Sequence, residues 1–155
     1  MIHLGICASD THTAVMLKQF SAKLGIQNIA ISLYRNDFKY DTVLITPSAC
    51  VSGLAIAARL VIAPDCIDLS TVSKEFGDNV ISYGMLSKNT VTASSITPEC
   101  ISVAIQRKFP TVCDNTVDEQ EFTVRSELSS APEAALGIIT ALLTLGIPPC
   151  NLRNL

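Results

Sequence analysis

Tryptophan is absent from this 155-residue chain, aromatic residues make up 5% of it and charged residues only 16%. Each scarcity excludes something. So few rings leave no stacking platform for a single strand of nucleic acid. A net charge of −3, with no basic run or stripe, argues against duplex binding. No nucleic-acid partner is therefore expected. Soluble domains usually carry roughly 25% charged residues. Charge this sparse, with a mean hydropathy of +0.40, means either a membrane span or a surface partly covered by another subunit. Long apolar runs are also missing. The longest uncharged stretch, residues 134–152, contains Gly137, Gly146, Pro148 and Pro149. Its helical part stops near Gly146, short of the roughly 20 apolar residues a spanning helix needs. No membrane partner is expected, and covered surface remains: the chain is expected to form a homo-oligomer, most simply a homodimer.

Metal-site spacing is lacking as well. The six cysteines, at positions 7, 50, 66, 100, 113 and 150, include no C-x-x-C pair, and the two histidines, His3 and His12, are not at ligand spacing. No metal and no cofactor is called for. Several cysteines fall within apolar runs, where Cys behaves as a small hydrophobe, so all six read as reduced thiols. With no basic segment before the first apolar run, no signal peptide is expected, and the location expected is the cytoplasm.

What is present reads as one α/β domain over residues 1–155, with 48% hydrophobic residues to build a core. Residues 2–7 form a short apolar run suited to a buried parallel strand. An amphipathic helix follows, with Leu17, Phe20 and Leu24 on one face, Thr11 or Thr13 as cap and Gly25 as stop. Strands are expected at 29–34 and 41–46, a helix of small residues at 49–60, a brief strand at 61–63 and a short helix at 69–76 ended by Gly77. That order points to a mostly parallel sheet with helices on both faces, a three-layer domain. From residue 79 the texture changes. Segments 80–83, 90–95, 100–106 and 121–125 are β-rich, separated by the turn formers Gly84, Ser87-Lys88-Asn89, Thr97-Pro98 and Asp114-Asn115. They predict an antiparallel extension beginning at residue 80. The last element, 132–145, is a helix with Ser130 as N-cap, Pro132 in its first turn, Glu133 near its positive end and Gly146 as terminator. It is apolar on nearly every side, which predicts a buried C-terminal helix.

Three segments carry a family resemblance. VISYGMLSKNTVTASSI (80–96) resembles the part of Mur ligase central domains where a strand ends in Tyr/Phe-Gly and a second strand follows. APEAALGIITALLTLGIP (131–148) is similar to the N-x-L-A-A-x-x-A-A-L-x-L-G-I-P helix of that domain. ICASDTHTAVML (6–17) is similar to its strand and ATP-binding loop, I-x-G-T-N-G-K-T-T. In that register Ala8 stands at the first Gly, Thr11 at the second, His12 at the Lys and Thr13 at the Thr. Mur ligases join an amino acid to a carboxylate through an ATP-derived acyl phosphate, using the loop Lys against phosphate charge and Glu, His and carbamylated Lys positions for magnesium. Here the loop is a degenerate P-loop. An imidazole, with an ordinary pKa of about 6.5, carries far less charge at neutral pH than an ammonium, and Asp10 repels phosphate. Strand 41–46 ends in Thr-Pro-Ser where the family offers a Glu, and the family's C-terminal domain has no counterpart in these 155 residues. The resemblance implies the fold more than the reaction.

Function therefore has a leading reading and two others. The leading one is a non-catalytic, Mur-ligase-like pseudoenzyme acting as a cytoplasmic binding or assembly module, with no catalytic residue assigned. The second is a small-ligand or nucleotide sensor using loop 8–13. There Ser9, Asp10, Thr11, His12 and Thr13 make a weak phosphate or nucleotide site from hydroxyls and helix N-terminal N–H groups. The same atoms serve equally as helix caps. The third is a small enzyme with Cys7, at a strand's carboxyl end, activated by His12.

Overall fold

A computed structural model describes residues 1–9, 11–49, 56–68, 70, 76, 79–125 and 127–155. An eight-stranded sheet is built from β1 (Ile2–Cys7), β2 (Ile29–Leu33), β3 (Tyr40–Ile45), β4 (Ala58–Pro64), β5 (Val80–Gly84), β6 (Val91–Ile96), β7 (Cys100–Ile105) and β10 (Gln120–Arg125), in the order β10-β7-β6-β5-β4-β3-β1-β2. A separate small hairpin joins β8 (Phe109–Pro110) to β9 (Thr116–Val117). Two α-helices are described, α1 (His12–Lys23) and α2 (Pro132–Thr144). Pairings from β2 across to β6 are parallel, and β7 runs antiparallel to both β6 and β10. The fold is thus α/β, with a mostly parallel sheet, an antiparallel addition and a buried C-terminal helix.

The middle strands are buried on both faces, which is why they read as nearly continuous apolar runs. Leu4, Ile6, Leu44, Ile62, Ile81 and Tyr83 face the layer containing α1 and α2. Cys7, Tyr40, Val43, Ile45, Val61 and Ala63 form a second cluster on the opposite face. The helices expected in 49–60 and 69–76 fall largely outside the described residues. Helix α2 is buried from Ala135 to Thr144 and packs over β3, β4, β5 and β6, so its all-round apolarity is used within the fold.

Both helices stop by the same device. Gly25 (φ 67°) and Gly146 (φ 89°) take the left-handed conformation after Leu24 and Leu145. The amides of Ile26 and Ile147 donate back to the carbonyls of Ser21 and Leu142, at 2.9 and 3.1 Å. This six-to-one bond satisfies helix carbonyls that would otherwise be orphaned. The starts differ from expectation. Thr11 and Ala131 hold the N-cap positions and neither makes a side-chain capping bond, while Ser130 lies in a 3-10 turn, Glu127–Ser130.

Two strand assignments also change. Ala58, Arg59 and Leu60 belong to β4, not to a helix, because Ala58 and Leu60 pair with Tyr40 and Thr42; the long-range ladder overrides the local preference of small residues. The segment at 80–83 extends to Gly84 and is parallel to β4, so the antiparallel part begins only at β7. The parallel strands β2 and β3 flank β1 and are linked by residues 34–39 without a helix. In that link Phe38 packs edge-on against His3 at 4.9 Å and Tyr40 at 4.8 Å. Tyr40 lies so close over β1 that a Cβ on Gly5 would come within 2.9 Å of its ring. At the other end, Arg125 N–H donates to the carbonyl of Arg153 (2.8 Å), tying the chain's last residues to the outer strand β10. Among the described residues no helix is long and apolar enough to cross a membrane.

Candidate functional site

Parallel strands leave their carboxyl ends, and the helix N-termini that follow them, on one side of the sheet. Here that side holds a cavity of about 460 Å³. Its floor is Leu44 and Thr46 at the end of β3, Tyr83 of β5 and Gly137 of α2. Around the opening stand His12 and Thr13 from α1, Pro47 and Ser48 after β3, Met85 after β5, and Ala131, Pro132, Glu133 and Ala134 at the start of α2.

Hydrogen bonds hold the floor. Thr46 Oγ1 donates to the carbonyl of Cys7 at 3.2 Å, and its amide donates to the same oxygen at 2.9 Å. Thr46 Oγ1 also lies 3.1 Å from Ser48 Oγ. Either hydroxyl can be the donor in this second bond. Tyr83, 1% exposed, donates its phenol to the carbonyl of Ile45 at 2.8 Å. Burial, with the nearby Cys66, Glu133 and Asp65 adding to it, pushes that phenol far above the usual tyrosine range. It stays a neutral donor. Gly137 lets α2 approach this ring: a Cβ there would sit 3.0 Å from Tyr83 Cζ and Oη.

The loop carrying Met85 is set by Asp65. Its Oδ2 accepts from the amide of Leu86 (3.3 Å) and from Asn89 Nδ2 (2.8 Å), and its own amide donates to the Tyr83 carbonyl (2.9 Å). Gly84 permits this arrangement with φ 150°, where a Cβ would meet the Asp65 carboxylate at 2.2 Å.

Of the five loop residues picked out from sequence, His12 and Thr13 line the cavity. Ser9 and Thr11 are exposed and not among its lining residues, and Asp10 lies outside the described residues. Cys7 is 8% exposed and belongs to the cluster on the opposite sheet face, whereas His12 lines the cavity. Among the described residues no cluster of three or more His, Cys, Asp or Glu is arranged to hold a metal ion. Sequence reading missed Thr46, Ser48, Tyr83, Met85 and Glu133 as members of one site. The available signals were a strand's carboxyl end at Thr-Pro-Ser and an acid in the first turn of a helix.

A mostly parallel sheet of this order, closed by an antiparallel pair and a buried terminal helix, is a Mur-ligase-like fold. It is similar to that of a solved structure of MurF, a Mur ligase, from Acinetobacter baumannii. The TM-score is 0.52 at 14% sequence identity, with 98% of this chain and 44% of that chain covered. This chain thus spans less than half the length of that protein, and the likeness is one of fold. No protein-family model matches the sequence, and no curated protein matches it either.

Proposed function

We propose that this chain is a non-catalytic, Mur-ligase-like domain that acts as a cytoplasmic binding module and takes a small ligand in the cavity between α1 and α2. One observation carries the reading: the cavity sits where an α/β sheet places its ligands, yet its described lining contains no Lys or Arg and includes Glu133. A triphosphate needs cations as well as helix-end N–H groups. Thermal unfolding in the presence of millimolar ATP and magnesium tests this directly, because any ligand that binds only the folded state raises the melting temperature. No ATP-dependent rise is expected. A saturable rise that His12→Ala abolishes would instead establish the nucleotide-sensor reading.

That second reading has its own support. Among the described residues helix α1 has no acid in its first turn, and its N-terminus is the end of the dipole that favours a negatively charged ligand.

Assembly into homodimers is the other part of the proposal. Charged residues are scarce, and Leu33 and Phe38 are 41% and 40% exposed beside β2, the sheet's outer strand. Sedimentation at micromolar concentration is expected to give a dimer, and a monomer would overturn this part alone.

A further inference from the structure

We infer that two copies of this chain associate through the free edge of β2, which pairs antiparallel with its own copy about a twofold axis at Ile31 and joins two eight-stranded sheets into one. This rests on the reading of the chain as a homodimer and adds the surface, the symmetry and the register.

Hydrogen-bond directions along β2 fix which of its groups are free. In a parallel pair the N–H and C=O of one residue point to the same side, and successive residues alternate. The Ile2 amide donates to the carbonyl of Asn28 and the Tyr34 amide to the carbonyl of Ile6, both at 2.8 Å. Ile2 is level with Ile29, and Ile6 with Leu33. Asn28, Ala30, Ser32 and Tyr34 therefore turn their main-chain groups to β1, while Ile29, Ile31 and Leu33 turn theirs away. Among the described residues no strand lies on that outer side. A row of unpaired amides and carbonyls is a template for another strand.

Sheet edges are ordinarily blunted by charge, proline or a covering segment. The opposite edge of this sheet has two of these: β10 carries Glu121 and Arg125, and the end of the chain is bonded to it at Arg125. β2 has neither. No charged residue and no proline occurs from Leu24 to Tyr34, and the charge that follows, Arg35, is paired with Asp37. In charge this edge matches a neutral strand, and its own copy is one, so no like charges meet across the axis. Antiparallel pairing centred on Ile31 sets Ile31 opposite the partner's Ile31 and Ile29 opposite the partner's Leu33. Facing residues of this kind exchange both of their hydrogen bonds, so every outward group of Ile29, Ile31 and Leu33 is satisfied. An exposed apolar side chain also flanks the edge on each face: Leu33, in step with Ile29 and Ile31 on the α1 side, and Phe38 over His3 on the other.

Amide hydrogen exchange of the intact chain, measured across the concentration range in which sedimentation shows the dimer forming, reads the register directly. Protection of the Ile29, Ile31 and Leu33 amides is expected to rise in step with the dimer fraction, while Ala30 and Ser32, already bonded to β1, stay as they were. Leu33→Pro removes an outward donor and leaves the β1 ladder whole, as proline on an edge strand does. It should weaken the dimer about thirtyfold, the ratio set by two lost hydrogen bonds. Ser32→Lys, at an exposed position, should also weaken it by setting like charges near the axis. A dimer whose Ile29, Ile31 and Leu33 amides gain no protection, or folded variants that dimerise as the natural chain does, would overturn this inference while the homodimer reading stands. A natural chain that stays monomeric at micromolar concentration brings down the homodimer reading and this inference with it. The exchange measurement uses the natural sequence, so it decides the matter even where a substitution unfolds the chain.

Discussion

The parallel and antiparallel parts of the sheet are built on different terms. In β3 and β4 every residue from Thr42 to Ile45 and from Leu60 to Pro64 is buried. Burial in β7 and β10 alternates, with Ile101, Val103, Ile105, Phe122 and Val124 inward and their neighbours more exposed. A sheet covered on both faces leaves its strand ends as the place where polar groups gather, and the cavity is there. A sheet covered on one face has a solvated side and no such concentration. The comparison teaches that the candidate site lies at the ends of strands that are themselves buried on both faces, so the site and the core around it are hard to vary separately.

The sharpest break of that comparison is paired truncation. Ile62→Ala, at a fully buried site in β4, should cost about 4 kcal/mol by lost transfer energy and a residual cavity. Thr123→Ala, exposed on β10, should stay within about 0.5 kcal/mol. Urea unfolding of the two variants measures the contrast, and equal losses would dissolve it. Next in size is the end of β5, within the parallel part. Gly84→Ala forces a side chain into a positive φ and into the Asp65 carboxylate, which should cost about 3 kcal/mol through backbone strain and the loss of the Asp65 bonds. An unchanged urea midpoint would show that Asp65 moves aside freely.

The smallest expected effect is a pH slope. Tyr83 has its folded-state pKa raised, so its contribution is fully present below the unfolded value of about 10 and is lost as pH climbs above it. There the unfolded chain has released the proton and the folded chain still holds it. Stability should therefore fall by about 1.4 kcal/mol per pH unit above that point on account of this residue. Tyr83→Phe should remove that component of the slope while costing about 1 kcal/mol at neutral pH for the lost bond to Ile45. Parallel slopes for the two proteins would mean the phenol is not protected.

Where local chemistry decides, reading the sequence and solving the fold agree. The β-rich segments after residue 79 sit within a residue or so of β5, β6, β7 and β10, because turn formers such as Gly84 and Thr97-Pro98 bracket them. Gly25 and Gly146 end their helices because a left-handed residue costs glycine nothing. Where a distant partner decides, they part. Ala58–Leu60 has the composition of a helix and becomes strand because β3 offers a ladder. Capping was expected of Thr11 or Thr13 and of Ser130 on residue type alone, yet the described N-caps, Thr11 and Ala131, make no side-chain bond.

The sequence by itself determined most of the strands of the main sheet and the two described helices, where those two helices stop, and that loop 8–13 has neither the glycines nor the lysine of a phosphate cradle. These are properties of neighbours along the chain, set by backbone freedom and side-chain period. Only the tertiary structure decided that Val80–Gly84 lies parallel to β4, and that Ser48, Tyr83, Met85 and Glu133 join His12 around one cavity. Those residues come from four separate segments, and their meeting depends on strand order and on the fit of Gly137 against Tyr83.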